Sequence, residues 1–192
     1  MMKLFSLRVA LLFIGGCISH DLPLMFEGNP YIPQERGENI KFNKLSQESA
    51  ESGWKNIHLY YLTYDTFYLK KAAEMFNYCW RWNPNNYNAY WGWGIIAGIQ
   101  AERLQDPTKI KKQLDQAINL LQEAKQHDFP REERNNLDLA KTYNDIASFY
   151  LSIGKEGKTI FVLEQSQKLV DQVLKIDFYN GRAYFLLSVN FY

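Results

Sequence analysis

Lys71-Ala72-Ala73-Glu74-Met75-Phe76-Asn77-Tyr78-Cys79-Trp80-Arg81-Trp82-Asn83-Pro84-Asn85-Asn86-Tyr87-Asn88-Ala89-Tyr90-Trp91-Gly92-Trp93-Gly94 is the stretch that decides the fold. Ala72, Phe76 and Cys79 fall on one face of a helix as small, large and small residues, and Pro84 stops that helix because proline has no amide to donate and its ring crowds the preceding turn. A second helix opens after Asn86. Its glycines at 92, 94 and 98 each cost about 1 kcal/mol relative to alanine, so they need a reason, and close approach of a neighbouring helix supplies one. Cys79 reads as a buried structural thiol at this junction.

Working outward, the chain from Gly53 onward is a series of helical patterns punctuated at Asp106-Pro107, Phe129-Pro130, Gly154 to Gly157 and Tyr179-Asn180-Gly181. The clearest spans Pro107 to about Gln126. Asp106 caps it, Pro107 suits its first position, and Ile110, Leu114, Ala117, Ile118, Leu121 and Ala124 form one apolar stripe. Leu163, Leu169, Val170, Val173 and Leu174 mark another helix, from about Ile160 to Ile176. No alternating run bounded by a hairpin dipeptide signals a strand. Before Gly53 the texture differs: residues 18–52, with Pro23, Pro30, Pro33, Gly28 and Gly37, read as a tether with at most one short helix near Asn43 to Glu51.

The small-large-small triplets repeat, and periods of this kind decide a fold. Ala72, Phe76 and Cys79 with Pro84 resemble the second helix and closing turn of a tetratricopeptide repeat; Tyr90, Trp93, Gly94 and Ala97 resemble the first helix of the next. Ala117, Leu121 and Ala124 match its second helix after an insertion near Arg103 to Pro107. Tyr143, Ile146, Ala147 and Tyr150, then Ser166, Val170 and Val173, form a third unit, and Ala183, Tyr184, Leu187 and Phe191 begin a fourth. Phe178 stands where the family usually has proline. The resemblance covers residues 53–192 and implies an all-α array of helical hairpins, an α-solenoid of about three and a half repeats. The competing architecture is a helical bundle without repeats.

Composition narrows the functions. Twenty-two Lys and Arg face 21 Asp and Glu, so no single-sign field draws nucleic acid or an anionic surface. His20, His58 and His127 have no metal-ligand spacing. Nothing pairs a nucleophile with a base, and no glycine-rich loop joins a strand to a helix; neither catalysis nor a cofactor is expected. Glu132-Glu133 read as solvated residues of a polar linker.

The N-terminus reads as an address. Lys3 and Arg8 precede an apolar run, Val9 to Ile14, and then Gly15-Gly16-Cys17, the layout of a secretory signal and too short to span a bilayer. Ile14-Gly15-Gly16-Cys17 resembles the bacterial lipobox. That implies a signal peptide over 1–17, acylation of Cys17 and attachment to an envelope membrane facing the periplasm, with Ile18-Ser19 favouring the outer membrane. A cleaved but unacylated signal, or a buried helix of a cytoplasmic protein, are the alternatives.

A repeat array presents a concave surface made mainly by first helices, and that is where a partner is expected. In repeat register this groove comprises Trp54, Ile57, Tyr61 and Tyr64, then Trp91 and Ile95, then Lys141, Asn144 and Ser148. It is aromatic and mostly uncharged, suited to a protein or peptide with apolar anchors; core packing competes for each ring. Family members that grip a C-terminal carboxylate use a set of Lys, Asn and Arg. Here Ile57 and Tyr61 replace two of these and Asp145 stands where an arginine is needed, so that mode is disfavoured. The final segment, Ala183 to Tyr192, has few polar residues, and Phe185, Phe191 and Tyr192 are candidates for docking a second subunit or another protein.

Overall fold

In the computed structural model residues 36–127 and 132–190 are described, together with Pro30. They form seven helices and, among the described residues, no strand: α1 (Arg36–Thr63), α2 (Thr66–Trp82), α3 (Tyr87–Ala101), α4 (Pro107–Gln126), α5 (Glu132–Ser152), α6 (Glu156–Ile176) and α7 (Gly181–Asn190). The protein is all-α.

The boundaries follow from local chemistry. Asp65, Asn86 and Asp106 each accept a backbone amide of the helix they precede, satisfying a donor that has no partner within the helix. α2 ends one residue before Asn83-Pro84, with the Asn83 amide returning to the Cys79 carbonyl at 3.0 Å. α5 ends through Gly154, whose φ of 69° is open to glycine without penalty. At the close of α6, where a proline is missing, Asp177 makes the turn instead: its carboxylate accepts from the Tyr179 amide (3.2 Å) and from Asn180 Nδ2 (3.1 Å).

Two starts differ from expectation. α1 begins at Arg36, so residues 36–52 belong to one continuous helix with the first unit and not to a tether. The reason is tertiary. Ser46, fully buried, donates to the Cys79 carbonyl at 2.8 Å and accepts from Asn86 Nδ2 at 2.9 Å, fixing a polar segment onto the α2–α3 junction. α5 likewise begins at Glu132, so residues 132 and 133 belong to a helix and not to a linker. Asn135 and Asn136 are buried within it; Asn135 Nδ2 donates to the Leu121 carbonyl at 3.0 Å.

Each helix packs on its neighbours in sequence, most extensively α1 with α2, α3 with α4 and α5 with α6. In addition the backbones of α1 and α3, of α3 and α5 and of α5 and α7 approach one another closely, whereas those of α2 and α4, and of α4 and α6, do not. The three triplets are wholly buried: Ala72, Phe76 and Cys79 on α2, Ala117, Leu121 and Ala124 on α4, Ser166, Val170 and Val173 on α6. Around them run three main apolar cores. Ile57, Leu69, Phe76, Trp93 and Ile96 centre the first, Leu114, Ile146 and Val162 the second, Leu137, Val173 and Leu186 the third.

The glycines locate the tightest contact. The Phe76 ring lies between α1 and α3: a Cβ on Gly53 would stand 2.7 Å from Phe76 Cε1, and one on Gly92 would stand 2.5 Å from Phe76 Cδ2 and closer still to Cε2 and Cζ. Gly94 makes similar room for Leu121, at 2.8 Å. Gly98 does not share this role, since nothing lies within 4 Å of where its Cβ would be.

Candidate functional site

The residues expected in a groove lie on α1, α3 and α5, with Tyr64 just after α1. A line of side chains crosses all four odd helices. Trp54 of α1 packs on Trp91 of α3 with ring centroids 4.4 Å apart and donates through Nε1 to Asn88 Oδ1 at 2.8 Å. Trp91 Nε1 donates to Asp138 Oδ2 of α5 at 2.7 Å. The other carboxylate oxygen of Asp138 accepts from Arg182 Nη2 of α7. Asp138 is buried, so its charge is compensated at close range by a guanidinium and an indole N–H, as burial of a carboxylate requires.

A second polar group lies on the same helices. Lys141 Nζ of α5 bridges Glu102 at 2.7 Å and Asp145 at 2.9 Å. Burial alone would lower the Lys141 ammonium, but Asp145 and Glu102 outweigh it and raise the group, so it stays charged. Arg103 Nη2 donates to the buried Tyr60 hydroxyl at 2.9 Å and lies 5.1 Å from the ring centroid. Burial pushes the Tyr60 phenol up, and Arg103 offsets part of that rise.

The expected groove residues divide. Tyr61 and Tyr64 are exposed, Tyr64 at 71%. Tyr64 also holds a φ of 55°, a left-handed conformation that costs a non-glycine residue about 1–2 kcal/mol, immediately after α1. Ser148 is exposed, with its hydroxyl turned to the Asn144 carbonyl at 3.0 Å. Trp54, Trp91 and Lys141 are half-buried and committed to contacts between helices, and Ile95 is half-buried against the first core. Ile57 is a correction: at 5% exposure it belongs to that core, because its place on α1 faces α2. Asn144 is another, buried beneath α7 with Nδ2 donating to the Leu186 carbonyl at 3.4 Å.

The face is also more charged than expected. Glu102, Arg103, Asp138, Asp145 and Arg182 were not among the candidates. Asp138 and Asp145 could have been found from Lys141, since they precede and follow it by three and four residues on one helical stripe; Arg182 is brought in by the docking of α7 and has no local signal. On α7, Phe185 is 65% exposed, while Phe191, Tyr192 and Cys17 lie outside the described residues.

Known proteins add nothing to this geometry. Neither a family model, nor a curated protein, nor a solved structure matches the chain. Among the described residues no three His, Cys, Asp or Glu side chains gather in a way that could hold a metal, and no helix is long and apolar enough to cross a membrane. Cys79 is buried, its thiol pushed up to about 12 by burial, with the Ser46 hydroxyl opposing the rise. Such a group is inert at neutral pH.

Proposed function

We propose that this chain is a tetratricopeptide-like scaffold of about three and a half units that binds a protein or peptide across its odd-numbered helices, held at a bacterial envelope membrane by an acylated Cys17. The observation that carries the reading is the line Trp54, Trp91, Asp138 and Arg182, which takes one residue from each odd helix and ties the four helices together beneath one face. Two features support the repeat assignment. All three small-large-small triplets are buried in equivalent places on α2, α4 and α6. The backbones of successive odd helices approach one another closely while those of successive even ones do not, as expected if the stack curves with the odd helices inside.

Because Trp54, Trp91 and Lys141 are engaged with neighbouring helices, they act as the floor of the surface. Tyr61 and Tyr64 are the projecting anchors, aromatic side chains with little conformational entropy to lose on binding. The test is site-specific photocrosslinking in cells, with a photoreactive phenylalanine analogue at Tyr61 or Ser148 and, for comparison, at the exposed Glu164 of α6. A discrete adduct from the odd-helix positions and none from Glu164 is the expected result; equal or absent crosslinking at all three overturns the proposal. Mass spectrometry of the mature N-terminus decides the anchor, since an unprocessed Met1 excludes it.

A second reading, an envelope-assembly subunit docking through its C-terminal end, is favoured by one observation. Ile176, Phe178, Tyr179 and Phe185 are all more than half exposed around the α6–α7 turn, Tyr179 at 88%. Phe185→Ser should then lower the mass of the assembly in solution; unchanged mass in a folded variant removes this reading.

A further inference from the structure

Away from the odd-helix line, a cleft of about 980 Å³ opens between the start of α4, the end of α5 and the start of α6. Its volume is that of a small-molecule site. Its charge is one-sided: Lys111, Lys112, Lys155 and Lys158 line it against a single carboxylate, Asp115, in a chain whose net charge is only +1. Asp115 is paired with Lys111. No carboxylate pairs with Lys112, Lys155 or Lys158 among the described residues. Lys158 Nζ instead lies over the Tyr150 ring, 5.4 Å from its centroid.

The two helix starts in this cleft are not equivalent. Asp106 already accepts the Thr108 and Lys109 amides and occupies the positive end of α4. α6 follows Lys155 with no side-chain cap; its first turn carries Glu156, and Gly157 there has nothing within 4 Å of where a Cβ would stand. The Lys158 and Thr159 amides return to the Lys155 carbonyl, both at 3.0 Å, which leaves those of Glu156 and Gly157 to an anion from outside. The opposite wall is apolar, made by Phe149, Tyr150 and Ile153 of α5.

We infer that this cleft binds a small phosphate-bearing molecule with a ring or apolar portion, its phosphates held by Lys112, Lys155, Lys158 and the start of α6, its apolar portion against Phe149 and Ile153. Three exposed lysines with no carboxylate partner match a ligand carrying more than one negative charge, and the α5 wall matches an apolar portion beside it. A carboxylate side chain supplies neither in full. A soluble nucleotide and the headgroup of an anionic lipid share this chemistry, and the cleft is a different surface from the one proposed for a protein partner.

The test uses the full chain with two probes: fluorescently labelled ADP, competed by pyrophosphate, and phosphatidylcholine vesicles with and without phosphatidylglycerol. Saturable binding of ADP identifies a soluble ligand; binding confined to vesicles containing phosphatidylglycerol identifies a headgroup. In either case the triple variant Lys112→Glu, Lys155→Glu, Lys158→Glu should weaken binding by about tenfold or more, while Lys168→Glu, at an exposed α6 lysine outside the cleft, should not. The three targeted side chains are exposed, and the corresponding glutamine triple variant keeps their charge removal without reversal should the first variant fold poorly. Saturable binding of neither probe, or an equal loss with Lys168→Glu, overturns the inference.

Discussion

Replacing Gly92 with alanine sets two effects of opposite sign against each other. Helix propensity favours alanine by about 1 kcal/mol. Against it stands Phe76: the new Cβ would lie 2.5 Å from Cδ2, roughly 1 Å short of the 3.4 Å at which ordinary contact begins. The ring has nowhere to go. It is fully buried, and Gly53 of α1 brings backbone against its other edge. Overpacking a closed core costs about 1–3 kcal/mol, and where the blocked group is held from both sides the upper end applies. The expected outcome is a net loss of about 2 kcal/mol. Gly98 lies in the same helix and supplies the control, because with nothing near its Cβ position only propensity acts and Gly98→Ala should gain up to about 1 kcal/mol. Urea unfolding followed by circular dichroism reads both as midpoint shifts at constant slope. Adding Phe76→Leu should relieve the Gly92→Ala penalty, giving a coupling of about 1 kcal/mol between the two positions. A Gly92→Ala midpoint that rises like that of Gly98→Ala, or an absence of coupling to Phe76, would refute the reasoning.

Asp138→Ala removes the shared acceptor of Trp91 and Arg182; Arg182 is about half exposed and can regain water, so a loss of about 2 kcal/mol in urea unfolding is expected, with a change in tryptophan emission. Tyr64→Gly releases a strained left-handed residue and should stabilise the fold by about 1 kcal/mol while abolishing any crosslink that depends on that ring; weaker stability would show that the Tyr64 side chain holds the fold. In a Cys17→Ser chain, Cys79 should resist a thiol reagent at pH 8 until urea is added. Burial raises its folded value above the ordinary 9.0, so its contribution to stability is complete below about pH 9 and is lost as pH rises towards 12; rapid labelling of the native chain would contradict this.

The repeat triplets were legible because their information is local: Ala117, Leu121 and Ala124 are spaced by helix geometry alone, and burial followed. The first helix was not, because residues 36–52 carry mostly charged and polar side chains and are held by contacts distant in sequence, above all Ser46 on Cys79 and Asn86. A stripe did exist, since Ser46, Ala50, Gly53, Ile57 and Tyr60 are all buried along one face of α1, but a serine and a glycine among five conceal it from hydropathy. The same stripe explains why Ile57 was misplaced: assigning it to the groove shifts the helix face by one position, and on a helix that exchanges core for surface. Asparagines at 135 and 136 hid the start of α5 in the same manner, as polar residues whose burial depends on acceptors in other helices. At the candidate face, aromatic residues and Lys141 were found by register, whereas Arg182 becomes visible only once α7 folds back onto α5.

The aromatic ring gripped between Gly53 and Gly92 restricts the routes by which this sequence can drift. Any side chain gained at either glycine meets the ring first, so the order of changes is constrained: position 76 must shrink before 53 or 92 can grow. Shrinking it alone opens a cavity whose cost, about 3–5 kcal/mol for loss of the whole ring, discourages the first step. The three positions should therefore move as a set or stay fixed, and descendants of this chain that have lost the phenylalanine are where the glycines are free to change.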